Sequence, residues 1–384
     1  MSVHLSPVLT ELGTYPFVRL AEARKVAEQR GIPIIDCGIG DPSEPTAAFI
    51  RRALVDGVRE TMEYPKAAGL PELREAICAW VERRFGVALD PDRHVVPTLG
   101  AKEAIYSFAQ ILIDRASGRD VVITTEPGYP VGARGARFVG AEVVSLPLHE
   151  QAGFLPDLDA VPEATWRRTA VVWVNYPNNP TGALAPFRFY ARLAALAERH
   201  GFVIASDEAY SELYFGEPPV SALQLEDLGR VAVFNSLSKR SSMTGYRCGF
   251  VAGSPELIAA LRLFRPTVGT APQEFVQRAA VAAWGDEEHV CEARERYRRK
   301  RDVLVTALAR KGLAVAGGEA TMFLWVPTPG GAPSEAVATR LLEHGLVVTP
   351  GSYLGPSGEG YFRIALVPTE EGCRRAAAII EEVL

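Results

Sequence analysis

Short runs of apolar residues alternate with amphipathic helical patterns through the middle of the chain. Four runs are short, rich in β-branched residues and almost uninterrupted, which is typical of strands buried on both faces. They are residues 120–125 (DVVITT), 170–175 (AVVWVN), 202–206 (FVIAS) and 231–235 (VAVFN). Helical patterns separate them, as at 187–200 and after Gly100. This alternation predicts an α/β fold with a mostly parallel central sheet in a large domain.

Polar and turn residues follow each of the four predicted strands. The segments are EPGYP (126–130), YPNNPTG (176–182), DEAY (207–210) and SLSKR (236–240). Ligands of open α/β sheets bind at the carboxyl ends of the strands, and these ends share one edge of the sheet. One such segment alone would be interpreted as a surface turn. Four in register predict a binding site.

The C-terminal part has a different pattern. Residues 280–310 are helical and charged, and the basic run 294–301 has acids interleaved with it, which favours the solvated face of an amphipathic helix over a nucleic-acid patch. Apolar runs at 322–326, 345–349 and 361–366, followed by a helical pattern, predict a smaller α+β domain. We therefore expect an N-terminal arm with part of the small domain (1–45), a large domain (46–275) and a small C-terminal domain (276–384).

Composition and charge narrow the function classes. Of 384 residues, 48% are hydrophobic and 23% charged, which is ordinary for a globular protein with a large core. The net charge of −5 gives no general attraction to nucleic acid or anionic membranes. No apolar stretch approaches the ~20 residues of a membrane span, and the N-terminus lacks the pattern of a signal peptide. These features predict a cytoplasmic protein with neither nucleic acid nor membrane as a partner.

Cysteine and histidine spacing gives no sign of a metal centre. The five cysteines are scattered without a C-x-x-C pair, which favours reduced, mostly buried thiols. The six histidines are equally dispersed and form no H-E-x-x-H pattern. We expect no metal site built by the protein.

Lys239 is the residue on which candidate chemistry depends. The predicted strand VAVFN leads into S-L-S-K, and an apolar run, CGFVAG, follows at 248–253. A lysine after a strand is ordinarily a surface charge, but these neighbours predict a position near the core. Burial disfavours the ammonium form and lowers the pKa of a lysine. The neutral amine is the form that makes a Schiff base with a carbonyl group.

Motifs across nearly the whole chain resemble, in order, those of class I/II aminotransferases, which are fold-type I enzymes that use pyridoxal 5'-phosphate (PLP). The motifs are GIGDP (38–42), YPKAAGLPELREAI (64–77), TLGAKEAI (98–105), EPGYP (126–130), NYPNNPTG (175–182), SDEAY (206–210), SLSKRSSMTGYR (236–247) and YFRIAL (361–366). The resemblance implies that Lys239 is the catalytic residue and binds PLP as a Schiff base.

The resemblance also implies which residues contact the PLP ring. Asn179 and Tyr210 would hydrogen-bond the phenolic oxygen, and Tyr129 would stack on the ring. Asp207 would face the ring nitrogen and keep it protonated, which makes the ring an electron sink. Glu208 is the rival acid, although the family pattern puts this role on the first carboxylate. A turn-forming asparagine, a capping aspartate and a packed core tyrosine are the structural alternatives.

Phosphate binding is assigned to a second group of residues. Free N–H groups at the start of a helix and an arginine fork both suit a phosphate dianion. By resemblance, the residues are Gly100, Ala101, Lys102, Ser236, Ser238 and Arg247. Tyr64 resembles the tyrosine that reaches the phosphate of the neighbouring subunit, which implies a homodimer with shared active sites; the alternative is an exposed turn tyrosine.

Substrate recognition is assigned to two residues. Arg363 resembles the arginine that pairs with the α-carboxylate of the substrate. Independently, an arginine among apolar strand residues needs a buried anion as its partner. A structural Asp or Glu is the other candidate anion. Gly40 would let its backbone approach the same carboxylate, or is a plain turn glycine.

The expected reaction is transfer of an amino group from an amino acid to a 2-keto acid, with 2-oxoglutarate as the acceptor in the second half-reaction. The stretch SLSKRS…GFVAG most resembles succinyldiaminopimelate aminotransferases of the lysine pathway. Arg240 belongs to that likeness; it either binds a distal substrate carboxylate or is a surface arginine.

Other functions stay open at this point. Aspartate, aromatic and alanine aminotransferases share the same central residues, as do PLP-dependent C–S lyases and acyltransferases. A non-catalytic regulator is disfavoured because no helix-turn-helix pattern precedes residue 40. A nicotinamide enzyme is disfavoured because no G-x-G-x-x-G follows a strand.

Overall fold

The computed structural model describes residues 3–13 and 16–384 of the chain. The strands are β1 (Ile35–Asp36), β2 (Val95–Thr98), β3 (Val121–Glu126), β4 (Glu142–Pro147), β5 (Thr169–Asn175), β6 (Val203–Asp207), β7 (Val231–Ser236), β8 (Gly249–Gly253), β9 (Phe323–Pro327), β10 (Leu346–Val347), β11 (Thr349–Pro350) and β12 (Tyr361–Ala365).

The helices surround these strands. They are α1 (Pro7–Leu12), α2 (Pro16–Gln29), α3 (Ala48–Asp56), α4 (Pro71–Phe85), α5 (Gly100–Ser107), α6 (Val131–Phe138), α7 (Glu163–Arg168), α8 (Phe187–His200), α9 (Leu237–Arg240), α10 (Pro255–Val268), α11 (Glu274–Gly285), α12 (Glu288–Arg310), α13 (Ser334–Glu343) and α14 (Glu370–Val383).

A seven-stranded sheet forms the centre of the molecule, in the order β2-β8-β7-β6-β5-β3-β4. The five strands from β7 to β4 run parallel to one another. Strand β8 is antiparallel to both of its neighbours. The predicted α/β class and mostly parallel sheet are confirmed.

Both faces of this sheet are buried, as the uninterrupted apolar runs predict. Val172 and Ile204 belong to one hydrophobic cluster, which we call the first core. Val171 and Trp173 belong to a separate cluster on the other face. Side chains alternate between the two because successive residues of a strand point to opposite faces. Burial of each such aliphatic side chain contributes about 1.5–3 kcal/mol.

A second core lies around the C-terminal strands. Strands β11, β12 and β9 form an antiparallel sheet, and β1 pairs in parallel with β10. The expectation of one strand over 345–349 is wrong. The chain passes from the pair with β1 to the pair with β12 at Val348, so two short strands replace one.

The helices on either side of residue 286 belong to different cores. Helix α11 adds Ala279 and Trp284 to the first core, and α12 adds Leu304 and Leu308 to the second core. The expected boundary at 275 falls within α11. The division of the chain into three parts remains a prediction.

The basic run in α12 is only partly solvated. Lys300 is 1% exposed and donates to Glu44 at 2.7 Å. Arg294 pairs with the buried Glu212 at 3.3 Å. The expected solvated face is therefore wrong at these two positions, where the cations bind acids of other segments.

Two expectations from composition can be compared with the structure. Within residues 3–13 and 16–384, every helix is too short or too polar to cross a membrane. The cysteines are unpaired thiols, and all except Cys291 are buried.

Candidate active site

A cavity of about 340 Å³ opens at the carboxyl ends of the parallel strands. Twelve of the predicted site residues line it, whereas Gly100, Tyr64 and the two alternatives Glu208 and Arg240 do not. These lining residues are Gly40, Ala101, Lys102, Tyr129, Asn179, Asp207, Tyr210, Ser236, Ser238, Lys239, Arg247 and Arg363. Ala101 belongs to the cluster on the other face of the central sheet and Tyr210 to the second core, so the cavity lies where the central sheet meets the C-terminal strands.

Lys239 is carried by α9, a single helical turn directly after β7. Ser236 caps this turn, and its hydroxyl accepts the N–H of Ser238 at 3.1 Å. Lys239 Nζ donates a hydrogen bond to the carbonyl of Gly40. Burial lowers the pKa of Lys239 to about 8. The charges of Arg363 and Arg247 act in the same direction, and the charge of Asp41 opposes the shift. About a tenth of the amine is therefore neutral at pH 7, far more than at the ordinary pKa of 10.5.

Asp207 is the last residue of β6 and is buried in the cavity wall. Its Oδ1 accepts the backbone N–H of Ala209 at 3.2 Å. Burial raises the pKa of Asp207 to about 6, with that hydrogen bond opposing the shift. Glu208 does not line the cavity; its Oε1 accepts from Ser206 and from the N–H of Ala222, both at 2.9 Å. Of the two acids, Asp207 is the one available to a ligand.

Arg363 and Asn179 are buried and hydrogen-bonded to each other in the wall of the cavity. Arg363 Nη1 donates to Asn179 Oδ1 at 2.9 Å, and Nη2 donates to the carbonyl of Gly38 at 2.7 Å. The guanidinium carbon lies 4.2 Å from the centre of the Phe323 ring. Because a guanidinium only donates, the amide oxygen of Asn179 faces it and leaves the amide NH₂ as a donor.

The start of α5 and Arg247 form a cup with several hydrogen-bond donors, which we call the anion cup because such donors suit an anion. Arg247 donates to the carbonyls of Thr244 and Leu99, at 3.0 and 3.1 Å, so its guanidinium lies against the start of α5. Gly100 permits this approach: its φ is +70°, and a Cβ there would lie 2.7 Å from Arg247 Nη2. The N–H groups at the start of a helix, together with an arginine, suit a phosphate. Lys102 adds charge, and burial beside Arg247 lowers its pKa.

Tyr64 lies apart from the cavity of its own chain. Its side chain is fully exposed, at 101% of the reference area. The predicted role at a neighbouring subunit therefore remains a prediction.

Arg240 contradicts both sequence interpretations. It is 1% exposed and does not line the cavity, so it is neither a surface arginine nor a ligand of a distal carboxylate here. Its guanidinium donates to the carbonyl of Ala283 at 2.6 Å and to Glu287 Oε1 at 2.7 Å. These partners lie more than forty residues away, beyond the reach of a local pattern.

Further lining residues were not found from the sequence. They are Ile39, Asp41, Ile105, Ala209, Thr244 and Phe323. Asp41 lies within the GIGDP motif, which was the available signal for it. Phe323 could have been found from its strand, because β9 pairs with β12, which carries Arg363.

A larger apolar groove of about 1260 Å³ adjoins the site and shares Lys102 and Arg247 with it. Its walls include Tyr106, Phe138 and Val268, whose side chains are 37%, 40% and 50% exposed. Exposed apolar surface of this kind is typical of protein interfaces.

Comparisons with known proteins agree on one family. Residues 32–380 match the family described as aminotransferase class I and II. The chain is 38% identical over 383 residues to an LL-diaminopimelate aminotransferase of Oleidesulfovibrio alaskensis, covering 98% of each. It superposes on an aminotransferase of Neisseria meningitidis with a TM-score of 0.91 and 34% identity, over 99% of this chain and 100% of that one. For a probable N-succinyldiaminopimelate aminotransferase of Thermus thermophilus, the TM-score is 0.89 and the identity 34%, over 96% and 100%.

Proposed function

Because this chain belongs to the class I and II aminotransferases, a PLP-dependent family, we propose that it is an aminotransferase acting on a diaminopimelate-type amino donor. The observation that carries the proposal is one cavity that holds a depressed-pKa amine, a buried acid and an anion cup. These are the groups that a PLP enzyme needs for covalent attachment, ring protonation and phosphate binding.

The residues present fit PLP. Lys239 would hold the cofactor covalently, and the cup of Gly100, Ala101, Lys102, Ser236, Ser238 and Arg247 would hold its phosphate. Asp207 would face the ring nitrogen: a buried carboxylate whose pKa is raised by burial gains a favourable partner in a cationic ring nitrogen. Tyr129 would stack on the ring.

Asn179 and Tyr210 would bind the phenolic oxygen of the cofactor. The amide NH₂ of Asn179 is available for this because its oxygen faces Arg363. Burial raises the pKa of Tyr210, so its hydroxyl keeps its proton and can donate.

Proton transfer falls to Lys239. PLP, when bound, supplies an electron-withdrawing ring that takes up the electron pair left at the α carbon of the donor. Lys239 Nζ, released when the amino group of the donor takes its place, would remove the α-proton and later give a proton back, which is general acid–base work worth ~10²–10⁴ in rate. Arg363 would hold the α-carboxylate of the donor, and Gly40 would let its backbone lie close to that group.

Two diaminopimelate donors are candidates. LL-Diaminopimelate is favoured by relatives that carry that name at 38–39% identity over nearly the whole chain. N-succinyl-LL-2,6-diaminopimelate, the donor suggested by the SLSKRS likeness, is supported by the Thermus thermophilus structure. With 2-oxoglutarate as the amino acceptor, either reaction belongs to lysine biosynthesis.

A donor panel tests this proposal. The PLP-loaded protein is incubated with 2-oxoglutarate and, separately, each diaminopimelate donor, aspartate, phenylalanine or alanine, and glutamate formation is measured. We expect one diaminopimelate donor to give the highest kcat/KM. A higher value for aspartate, phenylalanine or alanine would contradict the donor assignment, and keto-acid-independent breakdown of a donor would indicate a lyase.

We further propose a cytoplasmic homodimer in which each subunit completes the other's site. The exposed apolar groove beside Arg247 supports an interface there. The full exposure of Tyr64 leaves its side chain available to a neighbouring phosphate cup.

A further inference from the structure

Two buried side chains directly after Lys239 are bonded to a distant segment of the chain. Arg240 and Ser241 are 1% and 3% exposed. Both contact residues 283–289, which we call the junction because it contains the end of α11 and the start of α12. The turn that carries Lys239 is thus fixed to the place where the chain passes from the first core to the second.

Arg240 makes three polar contacts with the junction. Nη1 donates to the carbonyl of Ala283 at 2.6 Å, and Nη2 donates to the carbonyl of Asp286 at 3.0 Å and to Glu287 Oε1 at 2.7 Å. The guanidinium carbon lies 4.9 Å from the centre of the Trp284 ring. The rigid fork of arginine matches these acceptors, whereas a lysine could not reach all of them in one geometry.

Ser241 makes the second connection through a histidine. Its hydroxyl lies 2.8 Å from His289 Nε2, and His289 Nδ1 lies 2.5 Å from Asp286 Oδ1. Asp286 can only accept, so Nδ1 carries the proton and Nε2 accepts from Ser241 when the ring is neutral. Burial lowers the pKa of His289, and this lowering favours the neutral ring. The hydrogen bond to Asp286 opposes the shift.

The arrangement of Ser241, His289 and Asp286 has the order of a hydrolytic triad, but a second activity does not follow. The hydroxyl of Ser241 is enclosed and lies 3.3 Å from Arg240 Nη1. A triad serine must be open to its substrate. The three residues are therefore better explained by what they connect.

Lys239 is also held at its amine end, by a different segment. Lys239 Nζ donates to the carbonyl of Gly40, and Gly40 follows β1, which pairs with β10 beside the second core. The lysine is thus held at its backbone through the junction and at its amine through a loop of the second core.

We propose that Arg240 and the Ser241–His289–Asp286 chain form a clamp whose role is to position Lys239 for covalent attachment and proton transfer. These are positioning residues, since none of them lines the cavity. The clamp joins the Lys239 turn to the first turn of α12, so a displacement of that helix would also displace the amine of Lys239. The inference rests on the proposed function, because it assigns a purpose to the placement of Lys239.

The test measures covalent attachment as well as turnover. PLP is removed, re-added at saturation, and the growth of visible absorbance is followed for Arg240→Lys, Ser241→Ala and Ser241→Thr. Arg119→Lys is the matched control: Arg119 is half-buried and donates to the carbonyls of Thr169 and His200, at the opposite end of the sheet. Thermal unfolding is recorded for every variant.

We expect the attachment rate and kcat to fall ~10-fold or more in Arg240→Lys and Ser241→Ala, because a small displacement of a reacting group slows the reaction. The KM for the donor should change little. Ser241→Thr, which keeps the hydroxyl, should recover much of the rate, and Arg119→Lys should match the wild type. If Arg240→Lys does not fold, Ser241→Ala decides the question.

Wild-type rates in Ser241→Ala would overturn the clamp. So would an Arg119→Lys variant whose attachment rate and thermal stability fall as much as those of Arg240→Lys. A wild-type protein that never binds PLP covalently would instead contradict the proposed function, and the clamp with it. The two failures are distinguishable because the first leaves the wild-type absorbance intact.

Discussion

Asp207 and Glu208 are adjacent in sequence, yet only one faces the cavity. Asp207→Asn should lower kcat by ~10- to 150-fold, because a charge-assisted hydrogen bond to the ring nitrogen is worth about 1.5–3 kcal/mol. Glu208→Gln is the matched control and should affect thermal stability more than kcat, since Glu208 binds Ser206 and Ala222. Steady-state kinetics and thermal unfolding of both variants check this. A larger loss of kcat in Glu208→Gln would reverse the assignment.

Lys239 gives a pH prediction. Its pKa is lowered from 10.5 to about 8, so the reactive neutral amine is about half of the total at pH 8 and nearly all of it above about pH 9. The rate of covalent PLP attachment should therefore rise from pH 6 through 8 and level off above about pH 9. Stopped-flow absorbance over this range measures it. A rate that continues to rise toward pH 10 would mean an ordinary, solvated lysine.

Sequence patterns reach some of these residues and miss others. Lys239 and Asp207 could be found because each follows a recognisable strand. Arg240 could not, because its burial depends on Ala283, Trp284 and Glu287, which approach only in the folded chain.

At the scale of elements, α5 and its first glycine make a prediction about phosphate binding. Gly100→Ala should weaken PLP binding ~10-fold or more, because its Cβ would displace Arg247, whose charge-assisted bonds to phosphate contribute on the order of 1.5–3 kcal/mol. Gly86→Ala is the control: φ is +71° there too, but a Cβ would have nothing within 4 Å. Both variants should lose stability through backbone strain. Equal PLP affinities in the two, by titration, would contradict the role of Gly100.

Element types were predictable where a pattern was long or continuous. The 187–200 helix has the bounds of α8, and Gly201 ends it with φ +77°. The split of 345–349 was not predictable, because Leu346 and Thr349 pair with strands that are distant in sequence. The composition of five residues does not specify a change of sheet.

At the scale of the whole molecule, shared active sites predict complementation. A Lys239→Ala chain lacks the amine, and a Tyr64→Ala chain should lack the donor to its neighbour's phosphate. In a mixed dimer, the site with Lys239 of one chain and Tyr64 of the other is intact, so unfolding and refolding the two variants together should give more activity than either variant alone. Activity of the mixture is compared with each variant refolded alone. Absence of any gain, with mixed dimers demonstrated by a tag, would refute shared sites.

The covalent bond between Lys239 and PLP is the claim on which the account depends most. The PLP-loaded protein is reduced with borohydride, digested, and its peptides are mapped by mass spectrometry, with Lys239→Ala treated in parallel. We predict one phosphopyridoxyl adduct, on Lys239, that is absent from the variant. An unmodified Lys239, or an adduct on another lysine such as Lys102 that persists in the variant, would contradict the account.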